Sequence, residues 1–151
     1  MPSPYTGGCA CRSVRYQLNA EPLSLYACHC TYCQAQTGSA FGLSMPIRRD
    51  TLDVTQGTPE RYEFVGPDGR RRIGARCGVC PTRLWGAPER IPQILILRPG
   101  TLDDRTWLDP IAHIWVSRAQ PWVHIPDGAL VFHEQPEDDR EPVRAWKKRH
   151  G

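Results

Sequence analysis

The stretch Cys28-His29-Cys30-Thr31-Tyr32-Cys33 gathers three thiols within six residues, and it has two counterparts, Cys9-Ala10-Cys11 and Cys77-Gly78-Val79-Cys80. Together the three groups hold all seven cysteines of the 151-residue chain. Two cysteines one residue apart on an extended segment point to the same face, and two separated by two residues sit across a tight knuckle. Either spacing lets a pair of sulfurs reach one ion at a Zn–S distance of about 2.3 Å. A structural zinc takes four ligands, and a catalytic zinc takes three and keeps one position open. Seven then divides into four and three. Cys28, Cys30 and Cys33 are local and sufficient for a three-thiolate site, which leaves Cys9, Cys11, Cys77 and Cys80 for a closed one. The closed site would staple distant segments and remove loop-closure entropy from the unfolded chain. Spacing alone also admits two structural zincs, or a triplet completed by another side chain. His29 is expected to point away from Cys28 and Cys30 on an extended segment, in a supporting or surface role. His113 and His124 lie in no ligand spacing and read as structural residues.

Around these groups the composition is that of a soluble globular chain, 40% hydrophobic and 23% charged, of a size that suits one domain. Pro and Gly number 15 and 13, about 19% of the residues, against roughly 12% in average proteins. So many breakers exclude a helical bundle. Residues 1–8 lack the basic segment and apolar run of a signal peptide, and the longest strongly apolar run is Ile94-Leu95-Ile96-Leu97. The expectation is a cytoplasmic protein that keeps its thiols reduced and does not enter a membrane. The net charge of +3 counts every thiol as neutral. Seven thiolates with two Zn²⁺ ions would cancel it, so no nucleic acid partner is expected from charge.

Short alternating segments fill the intervals. Val14, Tyr16 and Leu18 alternate with polar residues, as a half-buried strand does. Phe41, Leu43 and Met45 form a second such run, which Pro46 is expected to close. Residues 62–65 and 71–75 flank Gly66-Pro67-Asp68-Gly69 and predict a hairpin. Ile94–Leu97 fits a strand buried on both faces, and residues 113–116 form a further strand candidate. Thr31 to Gln36 and Asp103 to Trp107 suggest short helical turns. The five tryptophans (85, 107, 115, 122 and 146) read as core or lid aromatics. Residues 1–135 are expected to form the zinc domain, and 136–151 a charged tail appended to it.

The chain resembles the glutathione-dependent formaldehyde-activating enzymes, which share their domain with centromere protein V. The resemblance rests on Gly7-Gly8-Cys9-Ala10-Cys11 with Val14-Arg15-Tyr16, on Cys28 to Cys33 with Thr37-Gly38, and on Arg76-Cys77-Gly78-Val79-Cys80 with Leu84. His113-Ile114-Trp115-Val116 and Pro121-Trp122 support it. It implies a mainly β, zinc-stapled β-tent of short packed sheets with few helical turns. It also implies two zincs per chain, structural on Cys9, Cys11, Cys77 and Cys80 and catalytic on Cys28, Cys30 and Cys33. The implied activity is that of a carbon–sulfur lyase joining glutathione to formaldehyde. Two departures stand out. Pro81 follows the last cysteine where the family usually has Gly, so the knuckle is expected to close differently, with Gly78 as the candidate for the turn. Gln34-Ala35-Gln36 is neutral where basic residues often stand.

The function expected is therefore a zinc enzyme that joins a small thiol, glutathione or similar, to formaldehyde or a related aldehyde. His29 and Tyr32 are candidates for moving the proton. Arg48 and Arg49, with Arg70 to Arg72, are candidates for holding substrate carboxylates, or are solvated arginines near turns. The alternative is a non-catalytic zinc-stabilised module binding protein or nucleic acid. A reactive cysteine free of metal would point instead to thiol redox chemistry. Oligomeric state is not legible in the sequence.

Overall fold

The computed structural model describes residues 3–66 and 68–151; Pro67 of the expected hairpin turn lies outside them. The strands are β1 (Tyr5–Gly8), β2 (Arg15–Leu18), β3 (Tyr26–Cys28), β4 (Gly42–Arg48), β5 (Leu52–Gln56), β6 (Glu60–Val65), β7 (Arg71–Arg76), β8 (Arg83–Gly86), β9 (Ile94–Leu97), β10 (Ala112–Ile114) and β11 (Leu130–Val131). The α-helices are α1 (Thr31–Thr37) and α2 (Glu141–His150). The fold is mainly β, as the breaker-rich composition requires.

The chain forms two compact units, one of Met1–Pro22 and Met45–Leu108, the other of Leu23–Ser44 and Asp109–Gly151. In the first, β1, β2 and β5 make a three-stranded antiparallel sheet. Residues 45–48 of β4 continue through β9, β8, β7 and β6, all antiparallel. The sheets meet where Tyr16 of β2 packs edge-on against Trp85 of β8, ring centroids 6.3 Å apart. Leu18, Met45, Ile47, Leu84 and Leu97 are fully buried in this unit. Gly7 is required by close approach: a Cβ there would lie 2.4 Å from the Tyr16 hydroxyl and 2.6 Å from the Thr101 carbonyl oxygen. The hairpin of β6 and β7 pairs Val65 with Arg71, as expected, and Gly69 takes the left-handed conformation in its turn.

In the second unit β3 pairs with residues 42–44 of β4 and runs parallel to β10, which in turn pairs with β11. The charged tail carries α2. Its Trp146 is buried, its Pro142 carbonyl accepts a hydrogen bond from the fully buried Ser24 hydroxyl (3.0 Å), and Arg149 pairs with Asp109 (2.9 Å). Lys147, Lys148, Arg149 and His150 fill the last turn, where cations complement the helix dipole.

Several local expectations need correction. Pro46 does not close its strand. It sits inside β4 opposite Ile96, where β9 is the strand paired with β4, and a missing N–H is tolerated with pairing on one side. The buried positions of β4 also change parity, from Gly42 and Ser44 to Met45 and Ile47, so Phe41 and Leu43 are only half-buried. Small residues suit 42 and 44, because a Cβ on Gly42 would touch the Cys33 side chain at 3.4 Å. Only Leu95 and Leu97 of β9 are buried, while Ile94 and Ile96 are half-buried. Asp103–Trp107 is not helical: the Asp104 carboxylate accepts from the backbone N–H and hydroxyl of Thr106, a side-chain turn that replaces a helical one. β10 ends at Ile114 because Trp115 turns left-handed, φ 57°. Trp122 is 74% exposed and so is no core residue.

Candidate metal centres

The four-cysteine group sits at the tips of two hairpins in the first unit. β1 and β2 pair up to Gly8 and Arg15, and the chain between them turns at Cys9–Arg12, with the Arg12 N–H on the Cys9 carbonyl (3.0 Å). β7 and β8 pair up to Arg76 and Arg83, and Cys77 closes that connection by donating its N–H to the Thr82 carbonyl (2.9 Å). Cys9-Ala10-Cys11 is thus a turn and not an extended segment. The left-handed residue of the pair is Arg12, φ 65°. Neither Gly78 nor Pro81 is among the positive-φ residues, so Pro81 fits the knuckle and Gly78 is not its hinge.

The four sulfurs lie within 4.8 Å of one another. Cys9 Sγ is 3.6 Å from Cys11 Sγ, which is 3.7 Å from Cys77 Sγ. Those separations are far from a disulfide and match the edge of about 3.8 Å of a tetrahedron with 2.3 Å Zn–S bonds. Backbone N–H groups point at the buried sulfurs, Val14 at Cys9 (3.2 Å) and Val79 and Cys80 at Cys77 (3.3 Å each). Hydroxyls reach the others: Ser13 Oγ is 3.0 Å from Cys11 Sγ and Thr82 Oγ1 is 3.2 Å from Cys80 Sγ. The Thr82 contacts bring the Cys80 thiol down to about 6, and Ser13 lowers Cys11. A donor set of four sulfurs with hydrogen bonds aimed at them is the chemistry that a thiophilic cation such as zinc requires, and these residues could hold one.

The triplet sits in the second unit, at the end of β3 and the start of α1. Cys28 ends the strand, Cys30 is the helix N-cap in extended conformation, and Cys33 lies in the first turn. Cys30 Sγ takes the capping role by accepting the Cys33 N–H (3.3 Å). The three sulfurs also lie within 4.8 Å of one another, Cys28 buried and Cys30 and Cys33 half-buried. Hydrogen bonding with Cys28, then Cys33, holds Cys30 far below an ordinary thiol, while the same contact with Cys30 pushes Cys28 up. A divalent ion would let all three ionise.

His29 lies between the cysteines in sequence but outside the group of three sulfurs. It is fully buried, its ring stacked on His113 at 5.2 Å and near Phe41 at 5.3 Å, with Nε2 2.9 Å from His113 Nδ1. Burial lowers both imidazoles, so the pair is neutral near pH 7. His29 Nδ1 is buried with no partner. Of the two neutral arrangements, the favoured one has His29 Nε2–H donating to His113, because it leaves a bare lone pair at Nδ1, not a buried N–H.

The neutral Gln34 has a structural task. Its amide donates to the carbonyls of His29 (2.8 Å) and Arg118 (2.9 Å) and accepts from Gln120 (2.9 Å), tying the segment after β10 to the cysteine turn. Tyr32 lies on α1, where its hydroxyl accepts from Gln36. Arg48 and Arg49 belong to the first unit and the triplet to the second. Arg48 pairs with Asp50 (2.6 Å), and Arg49 Nε donates to the Pro92 carbonyl (2.6 Å). Arg71 pairs with Glu63 and Glu89, and Arg72 with Asp68. His124 is exposed. The sequence reading missed the His29–His113 pair, Gln34 as a staple, and Ser13 and Thr82. For the last two a signal existed, a hydroxyl residue two positions after the final cysteine of each knuckle.

Residues 4–118 match the family model described as glutathione-dependent formaldehyde-activating enzyme. The chain belongs to that family. The formaldehyde-activating family segment contains all seven cysteines and stops before α2. Among solved structures, a Rhodobacter sphaeroides protein from a structural genomics programme is similar, with 19% identity over 70% of this chain and 91% of that one and a TM-score of 0.49. Comparison with curated proteins gave no match. Among the described residues, no helix is long and apolar enough to cross a membrane.

Proposed function

We propose that this family member is a carbon–sulfur lyase acting reversibly to join a small thiol to formaldehyde or a related aldehyde. Cys28, Cys30 and Cys33 would hold a catalytic zinc, and Cys9, Cys11, Cys77 and Cys80 a structural one. The observation that carries the reading is the separation of seven sulfurs into a complete set of four and an incomplete, partly exposed set of three. A zinc held by three thiolates supplies Lewis acidity and a preference for a further sulfur, lowering the pKa of a thiol at neutral pH.

The reaction forms one S–C bond while the thiol proton ends on the former carbonyl oxygen, so no external acid or oxidant is consumed. The residues of this chain contribute placement. The α1 cap fixes Cys30 and Cys33, β3 fixes Cys28, and Gln34 holds the downstream segment against the same turn. His29, fully buried with Nε2 on His113, supports the turn that carries Cys28 and Cys30. The ion pairs of Arg71 and Arg72 speak against a phosphate-binding role for that run.

Metal analysis tests this directly. Two zincs per chain are expected, with Cys30→Ala losing one and staying folded and Cys77→Ala unfolding. One zinc in the wild-type protein would overturn the two-site assignment. NMR of ¹³C-formaldehyde with glutathione should show the hydroxymethyl adduct equilibrating faster with the protein than in buffer. No acceleration with glutathione or any small thiol would refute the activity.

A further inference from the structure

We propose that the Ser13 and Thr82 hydroxyls protect the four-cysteine centre, holding its two solvent-side sulfurs, Cys11 and Cys80, as weakly nucleophilic ligands that keep their metal in the presence of electrophiles. The inference rests on the structural-zinc assignment above and extends it. The four sulfurs divide by burial and by donor. Cys9 and Cys77 are buried, and their hydrogen bonds come from backbone N–H groups of their own turns. Cys11 is exposed and Cys80 half-buried, so an electrophile can reach them, and each has a hydroxyl two residues further on.

The direction of these bonds follows from the partners. A metal-bound thiolate has no proton to give, so the hydroxyl must donate. Thr82 is set up to do so, because its Oγ1 already accepts the Ala10 N–H (3.1 Å), leaving its own proton for Cys80 Sγ. Ala10 lies between Cys9 and Cys11, and the Thr82 carbonyl accepts the Cys77 N–H, so this one residue touches both knuckles. A hydrogen bond donated to a thiolate occupies a lone pair and withdraws charge, which slows attack on carbon. In a protein that handles an aldehyde, the centre that only holds the fold must be less reactive than the one that works on substrate.

The test uses the full-length zinc-loaded protein and iodoacetamide. A thiolate attacks the methylene carbon, the S–C bond forms, the C–I bond breaks and iodide leaves. The resulting thioether is a poor zinc ligand, so zinc is released and can be followed with a chromogenic chelator, while peptide mass mapping locates the label. Wild-type protein should release one zinc early, with label on Cys28, Cys30 or Cys33, and the second slowly. Ser13→Ala and Thr82→Val should each release the second zinc roughly tenfold faster, with label first on Cys11 and Cys80 respectively and the early phase unchanged. Ser13→Thr and Thr82→Ser should keep the wild-type rate. If Thr82→Val does not fold, Ser13→Ala carries the test. Release of the second zinc at the wild-type rate in the folded alanine and valine variants, or label distributed as in wild type, would overturn the proposal alone. A wild-type protein with no zinc on the four cysteines would overturn the metal assignment and this proposal with it.

Discussion

Replacing His113 by Phe should destabilise the protein, and replacing His29 by Phe as well should restore most of the loss. The two rings are buried at 0% and 6% exposure and share one hydrogen bond of 2.9 Å, while His29 Nδ1 has no other partner. Phe at 113 keeps the ring contact but leaves His29 Nε2–H buried and unpaired, which costs about 1–3 kcal/mol. For a chain of this length, 2 kcal/mol corresponds to a Tm lower by roughly 4–8 °C. In the double variant no unpaired N–H remains, and two stacked apolar rings fill the same space, so the net change should be under about 1 kcal/mol. The assay is urea unfolding of zinc-loaded protein at pH 7.5, followed by far-UV circular dichroism for wild type, both single variants and the double, with zinc content measured alongside. A coupling energy near zero, with the double variant as unstable as the sum of the singles, would refute the assignment of a neutral, mutually satisfied pair.

Three further outcomes follow from the fold. Asp103 accepts from Arg15 and Thr6, and the Arg15 guanidinium holds its carboxyl down at about 2 against about 3.9 for a free one. Because the folded value is the lower, the stabilisation is complete above about pH 4 and lost as pH falls towards 2; for this part-exposed pair Asp103→Asn should cost about 0.5 kcal/mol at neutral pH, with the gap to wild type narrowing below pH 4 in denaturant titrations. Gly7→Ala should lower stability by about 1–3 kcal/mol, read from the urea midpoint, since the Thr101 backbone cannot retreat from the new methyl group; an unchanged midpoint would contradict the close approach. Trp146→Ala should cost about 3 kcal/mol and expose the Ser24 region to hydrogen exchange, whereas a freely appended tail would tolerate it with no change.

Much of the β architecture was legible locally. Residues 62–65 and 71–75 on either side of the turn-rich 66–69 segment read as the hairpin that β6 and β7 form, and Thr31 to Gln36 reads as the helical turn of α1. What failed were readings that depend on neighbours distant in sequence. Pro46 reads as a strand terminator until β9 is seen to be its paired strand there. Trp122, read with the other tryptophans as a core or lid aromatic, is 74% exposed, whereas Trp146, read the same way, is buried from α2 of the charged tail. Gln34 looked like an omission of charge, yet its amide hydrogen bonds reach residues 118 and 120.

The sequence by itself determined the three local cysteine clusters, because Cys-x-Cys and Cys-x-x-Cys spacings keep their sulfurs within a few backbone bonds of one another, whatever the rest of the chain does. Tertiary structure decided what surrounds them. The His29–His113 bond spans 84 residues and the Thr82 link to Ala10 spans 72, distances over which the sequence imposes no geometry until strand pairing fixes it. Cys11 and Cys77 lie 66 positions apart, so the strand pairing that sets the two knuckles side by side, like the His29–His113 and Thr82–Ala10 bonds, is supplied only by the folded chain.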